Sequence, residues 1–210
     1  MSFADSKVLT KNFSRKSEAG TVLILACGAI AREVIEILRI NNLPHIDLHC
    51  LPAILHNTPD KIPFAVKNAF DNYKVQYSKI FLAYADCGTC GKLEKLCAEY
   101  DIEMIDGPHC YSFFEGNKKF EELGETPSFY LTDFLVRQFD SFVWKPLGLD
   151  KNPELISMYF GNYEKLVYQS QSSDNNLVEL AEAHAEKLNL NFEHRHTGFG
   201  DLEKFVKKLA

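Results

Sequence analysis

Three cysteines stand where apolar runs give way to turns or helix-like segments. Cys27 closes Val22-Leu23-Ile24-Leu25-Ala26-Cys27-Gly28, Cys87 follows Ile80-Phe81-Leu82-Ala83-Tyr84-Ala85-Asp86, and Cys110 follows Met104-Ile105-Asp106-Gly107-Pro108-His109. In an open α/β sheet the carboxyl ends of parallel strands border the ligand crevice, so thiols far apart in sequence can meet there. Neighbouring strands lie about 5 Å apart, close enough for thiols at their tips to reach one ion or cluster. Three thiolates with an open fourth position suit a reactive iron-sulfur cluster, whereas a fourth ligand such as His109 or Cys90 suits structural zinc. Soft sulfur ligands favour both over magnesium or calcium. The competing reading is a metal-free module in which the same thiols are small residues lining a ligand pocket.

The other cysteines divide differently. Cys97 falls inside a helical pattern beside Leu96 and reads as a small core residue, while Cys50 ends a strand-like run and fits either packing or the strand-end set. Cys87-Gly88-Thr89-Cys90 has the spacing of a dithiol redox pair between a strand and a helix, where a helix N-terminus would stabilise a thiolate, so a thiol-disulfide oxidoreductase is an alternative function. Thioredoxin folds are shorter and set a cis-proline opposite that motif, a place Pro108 does not convincingly fill. His56-Asn57, Asp86 and Asn162-Tyr163 follow or precede predicted strands and can orient a ligand or a thiolate, or simply make turns. His194-Arg195-His196 puts two histidines on one strand face, and with no third ligand at suitable spacing it reads as surface or packing.

The elements needed to position these residues alternate along the chain. Val22 to Ala26 reads as a buried strand and Ile30 to Leu38 as a helix with Ile30, Val34, Ile37 and Leu38 on one face. Further strands are expected at 46–51, 79–84 and 102–105, with an N-capped helix from Thr58-Pro59 through Phe70 and another at 91–100. Residues 111–160 break the rhythm with Phe113, Phe114, Phe120, Phe129, Tyr130, Phe134, Phe139, Phe142, Trp144, Tyr159 and Phe160, and read as an aromatic-rich helical insert, either core-forming or a lid over the thiols. Strands at 165–169 and 191–196 alternate with helices at 175–188 and 201–209, as though both halves of the chain complete one sheet. The expectation is therefore an α/β fold, a mainly parallel sheet with helices on both faces: an N-terminal arm at 1–19, then a single domain at 20–210 with the helical insert.

Composition excludes some partners. With 46% hydrophobic residues in 210 the chain can bury a sizeable core, and a net charge of −6 with interspersed signs offers no basic stripe for nucleic acid. The sequence contains no apolar run long enough for a membrane span and no signal-like start, so a cytoplasmic protein with free or ligating cysteines is expected. The dinucleotide fingerprint, the P-loop and the Gly-x-Ser-x-Gly elbow are missing. A small-molecule ligand and a homo-oligomer are compatible with this composition.

Leu25-Ala26-Cys27-Gly28-Ala29, Leu55-His56-Asn57-Thr58-Pro59, Tyr84-Ala85-Asp86-Cys87-Gly88-Thr89, Gly107-Pro108-His109-Cys110-Tyr111, Phe129-Tyr130-Leu131-Thr132-Asp133-Phe134 and Tyr159-Phe160-Gly161-Asn162-Tyr163 carry a resemblance to the bacterial and archaeal family catalogued as domain of unknown function 1638. The resemblance implies that Cys27, Cys87 and Cys110 match the family's motif cysteines and that His56 and His109 match its histidines. The family pattern has glycine where this chain has Cys90, which weakens the dithiol reading. It also implies an accessory place beside corrinoid-dependent methyl transfer, with corrinoid methyl-transfer proteins as partners. In arrangement, though not in sequence, the strand-end cysteines are similar to those of quinolinate synthase, where three α/β units hold a four-iron cluster.

Overall fold

A continuous apolar run needs neighbours on both sides, and in the computed structural model, which describes residues 8, 10–17, 20–124 and 127–209, Val22–Cys27 has them. The chain divides into two units, Met1–Phe113 with Phe199–Ala210, and Phe114–Gly198. Among the described residues the first unit holds a five-stranded sheet of β1 (Phe13–Arg15), β2 (Val22–Cys27), β3 (Ile46–Leu51), β4 (Lys79–Ala83) and β5 (Glu103–Met104), in the order β1-β3-β2-β4-β5. β2 lies parallel to β3 and β4, and β4 parallel to β5. Its central place explains its composition: Ile24, Leu25 and Ala26 are fully buried. The parallel strands run outward from β2 in both directions, so the strand order reverses there.

Helices α1 (Ala31–Ile40), α2 (Ile62–Tyr73), α3 (Lys92–Tyr100) and α4 (Cys110–Glu115) follow β2, β3, β4 and β5. α1 buries the face predicted from its periodicity, Val34, Ile37 and Leu38. α2 starts differently from expectation. The Thr58 side chain makes no capping hydrogen bond, and a short 3-10 turn at Pro59–Lys61 leads into the helix.

Two further expectations are corrected in this sheet. It is mixed rather than mainly parallel, because β1 pairs antiparallel with the outer edge of β3. The stretch read as a loose arm at 1–19 thus contributes a strand, with Ser14 Oγ 2.7 Å from His49 Nδ1 and Arg15 Nη1 donating to the Ile46 carbonyl at 3.2 Å. A three-residue edge strand, Phe13-Ser14-Arg15, is too short for hydrophobic alternation to betray it. The arm's residues 1–7, 9, 18 and 19 lie outside the described residues.

The second unit contains α5 (Asn117–Leu123), β6 (Ser128–Thr132), α6 (Asp133–Arg137), a π-helical turn at Asp140–Trp144, α7 (Ile156–Phe160), β7 (Lys165–Ser170), α8 (Asn175–Lys187) and β8 (Asn191–His196). Its strands form a separate parallel sheet, β6-β7-β8. The expectation of one sheet completed by both halves of the chain is therefore corrected to two sheets. The aromatic stretch 111–160, expected to be helical with irregular links, includes strand β6. Its Phe139 and Phe160 join Leu131, Val136, Leu166 and Tyr168 in the apolar cluster of this unit, and Phe129 meets Phe160 edge to face at 5.1 Å. The chain then returns to the first unit as α9 (Gly200–Lys207), which buries Leu202, Phe205 and Val206 and packs against α1.

One buried carboxylate organises the second sheet's carboxyl edge. Asp133 is 2% exposed and accepts hydrogen bonds from the Tyr168 hydroxyl at 2.7 Å and from the backbone N–H groups of Gln171 and Ser172 at 2.9 and 3.0 Å. Its own N–H donates to Gln171 Oε1 at 2.9 Å, which joins the β6–α6 corner to the end of β7. A buried charge is tolerated when surrounding donors replace its water. Asp133→Ala strands those donors, and urea unfolding should report a loss of about 3 kcal/mol; a loss below about 1 kcal/mol would show that the corner holds without it.

Candidate functional site

Cys27 is the last residue of β2, and its Sγ accepts from the Ala29 N–H at 3.5 Å as the chain turns into a 3-10 turn. Gly28 is required here by close approach: a Cβ would lie 2.7 Å from the Val8 carbonyl oxygen and 2.8 Å from that of Leu51. That contact seats the Leu51-Pro52 segment on the Cys27 turn and places the 3-10 helix Ala53–Asn57, with His56, beside it.

Cys87 lies four residues past β4 and has φ +50°, as part of a turn in which Gly88, Cys90 and Gly91 also have positive φ. Asp86 supports this conformation: its carboxylate accepts from Thr89 Oγ1 at 2.6 Å and from the N–H groups of Cys90 and Gly91 at 3.1 and 2.9 Å. The Thr89 hydroxyl and these N–H groups hold its carboxyl below the usual carboxylate range. Asp86 thus shapes the loop that carries Cys87. Beyond the formal end of the strands the backbone stays paired, with Asp86 N–H donating to the Gly107 carbonyl at 3.1 Å and Cys87 N–H to that of Pro108 at 3.0 Å. This zipper brings the Cys87 loop alongside the start of α4, where Cys110 stands.

The three thiols line one cavity at the carboxyl edge of the sheet, with His56, Tyr84, Ile30 and Phe113 among its other walls. The centre of a water-sized sphere has about 10 Å³ in which to move. A single water needs roughly 10–15 Å³ on this measure, so the space holds one small atom or ion. His56 Nδ1 is buried with no hydrogen-bond partner among the described residues, and the buried Tyr84 hydroxyl lies against the Cys27 thiol, where it favours the thiolate against the larger effect of burial. Among those residues no group of three or more His, Cys, Asp or Glu side chains is set out to hold a metal ion as it stands.

Burial governs the protonation of the site. It raises the Cys27 thiol, pushes Cys110 up to about 12 with Cys27 and Glu33 adding to the effect, and drives Cys87 higher, with Cys110 and Cys27 opposing its ionisation. All three are neutral thiols at pH 7. Burial lowers the His56 imidazole, and nearby His109 lowers it further. At neutral pH the cavity is therefore uncharged, lined by soft donors that still carry their protons.

The remaining predicted residues separate from this group. Cys90 is exposed, its Sγ 3.8 Å from the Gly88 carbonyl, and it does not line the cavity that Cys87 lines. His109 is exposed, its ring tilted by 40° to that of Tyr111 at 5.5 Å. Asn57 is exposed at the end of the His56 turn. Asn162 and Tyr163 belong to the second unit, where Tyr163 packs on Phe129 and Phe160. Cys50 is buried in β3 and Cys97 packs its sulfur 3.8 Å from Met104 Sδ. Sequence reasoning missed Tyr84, which ends an apolar run and reads there as strand, and Glu33, which α1 buries near Cys110.

The family model described as "Protein of unknown function (DUF1638)" matches residues 50–206. That range contains His56, Cys87, His109 and Cys110 and leaves Cys27 outside it, so the assignment of Cys27 to a family motif rests on its own sequence context. No curated protein matches the chain.

Thiol accessibility gives the site a direct check. At pH 7.5 iodoacetamide should modify Cys90 first, with Cys27 and Cys87 protected until urea unfolds the chain, because both are buried and protonated. Peptide mass mapping reads the order, and alkylation of Cys27 or Cys87 as fast as Cys90 would contradict the geometry.

Proposed function

The chain belongs to the DUF1638 family of proteins of unknown function, and we propose that it uses Cys27, Cys87 and Cys110, with His56, to hold one soft metal ion of the zinc class. The observation that carries this reading is convergence: thiols that end or follow three separate strands line one small cavity with His56, whose buried Nδ1 has no hydrogen-bond partner among the described residues. An unsatisfied buried nitrogen costs free energy, and a metal ion would satisfy it. Three cysteines and one histidine form a donor set that zinc takes in tetrahedral sites.

The size of the cavity favours zinc over the iron-sulfur alternative. A space of about 10 Å³ admits a single ion, while a cube of iron and sulfide would require the Cys87 turn and the start of α4 to part. With protons on the sulfurs the thiols repel no charge and need not close on one point. Loss of those protons to an entering cation would draw the thiolates inward, using the mobility of χ1 at each cysteine. Bound, the ion supplies Lewis acidity and a cross-link among three loops. His56 as fourth donor would close the site and favour the cross-linking role.

The sign of the pH dependence follows from the protonation states. Cys27, Cys87 and Cys110 all carry protons between pH 7 and 8, whereas the lowered His56 carries none, so binding should release up to three protons. Apparent affinity then rises with pH, by as much as about a thousandfold per unit. Cobalt(II) titration of anaerobically reduced protein should give one equivalent with thiolate-to-cobalt absorption, and Cys87→Ser or Cys110→Ser should weaken it at least about tenfold. Binding that is independent of pH, or unchanged in both serine variants, would leave a metal-free pocket as the function of these thiols.

A further inference from the structure

The pair His194 and His196 lies outside the thiol site and on the edge strand β8 of the second sheet. In the parallel register Tyr168 stands beside His194 and Ser170, the last residue of β7, beside His196. His194 Nε2 lies 2.9 Å and His196 Nδ1 3.0 Å from one atom, the hydroxyl oxygen of Ser170. Ser170 is buried while both histidines are exposed, so the hydroxyl forms the floor of an open cluster. The His194 ring stacks on Tyr168 at 5.3 Å with an interplanar angle of 17°, and Tyr168 is itself held through its hydroxyl by Asp133 at 2.7 Å. This orientation is built, rather than being that of a loose surface side chain.

A serine hydroxyl has one proton to donate. It satisfies one imidazole lone pair, and the second ring must then present an N–H or leave two lone pairs facing each other. With one ring accepting and the other donating its N–H, the three atoms satisfy one another, and a cation would take the place of both hydrogen bonds because each of the two nitrogens and the oxygen can offer it a lone pair. The distances suit this role: ligands about 2.1 Å from a common ion and at right angles to one another lie roughly 3.0 Å apart. We propose that Ser170, His194 and His196 form a second, surface-accessible site for a six-coordinate first-row divalent ion, nickel or cobalt by class, with water completing the shell. Imidazole suits such borderline ions better than it suits magnesium or calcium. Asp133 supplies no ligand, since its oxygens are taken by Tyr168, Gln171 and Ser172. The third donor comes from a different strand and is a hydroxyl, which is why the His-x-His spacing by itself looks incomplete.

The test adds nickel(II) to the ¹⁵N-labelled full chain at pH 7.5 and follows the histidine ring resonances, which report this site separately from His56 at the thiol cavity. The rings of His194 and His196 should broaden together and saturate with one equivalent beyond that taken by the thiols, well before that of His45. Ser170→Ala should weaken the effect about tenfold, and His196→Gln, a change at an exposed position, should remove it from His194 while circular dichroism stays that of the parent. Broadening of one ring alone, broadening no earlier than at His45, or indifference to both substitutions overturns the proposal.

Discussion

Parallel pairing of β2 on both of its edges is the constraint on which the thiol site depends. Cys27 stands opposite Leu51 across one edge, and Ala26 stands opposite Ala83 across the other, so the chain leaves β2, β3 and β4 at nearly the same level. Because the strand order reverses at β2, the segments after β2 and β4 diverge and leave a crevice between them, the place where doubly wound sheets take ligands. Pairing that continues from β4 into the 105–108 segment then delivers Cys110 to the same crevice. A register slip of one residue in β2 would turn Cys27 to the opposite face.

Polar groups are buried in two opposite ways, and the first unit uses both, since its Asp47 carboxylate accepts from the Ser17 N–H and the Tyr77 hydroxyl, each at 2.7 Å. In the cavity of that unit the buried groups are thiols, which enter a low-dielectric space as neutral, weakly polar side chains and have their ionisation suppressed by it. They become charged donors only when something pays for the lost proton. In the second unit the carboxylate of Asp133 is buried, and the fold surrounds it with a phenol and two backbone N–H groups. The Asp133 arrangement is closed and mechanical, fixing the corner from which Tyr168 aligns His194.

The legibility of the chain followed the physical range of each signal. β8 at Asn191–His196 and α8 at Asn175–Lys187 matched their periodicity closely, since each is defined by residues near one another in sequence. β1 escaped notice because a short edge strand takes its hydrogen bonds from β3 and needs no apolar pattern of its own. β6 was hidden in an aromatic stretch whose rings mark burial without telling strand from helix. Whether β7 and β8 extend the first sheet or form another is a question of edge pairing, to which periodicity is blind.

By itself the sequence determined the alternation of strands and helices, the placement of Cys27 at a strand end, and the helical burial of Cys97, because those properties follow from local apolar spacing. Only the tertiary structure decided that the chain builds two sheets, that Asp86 is spent on the turn carrying Cys87, that Cys90 points away from the cavity, and that His56 comes to its wall. It also decided that Ser170 lies between two histidines. These are distances between residues from separate elements, set by register and strand order, and no spacing along the chain encodes them.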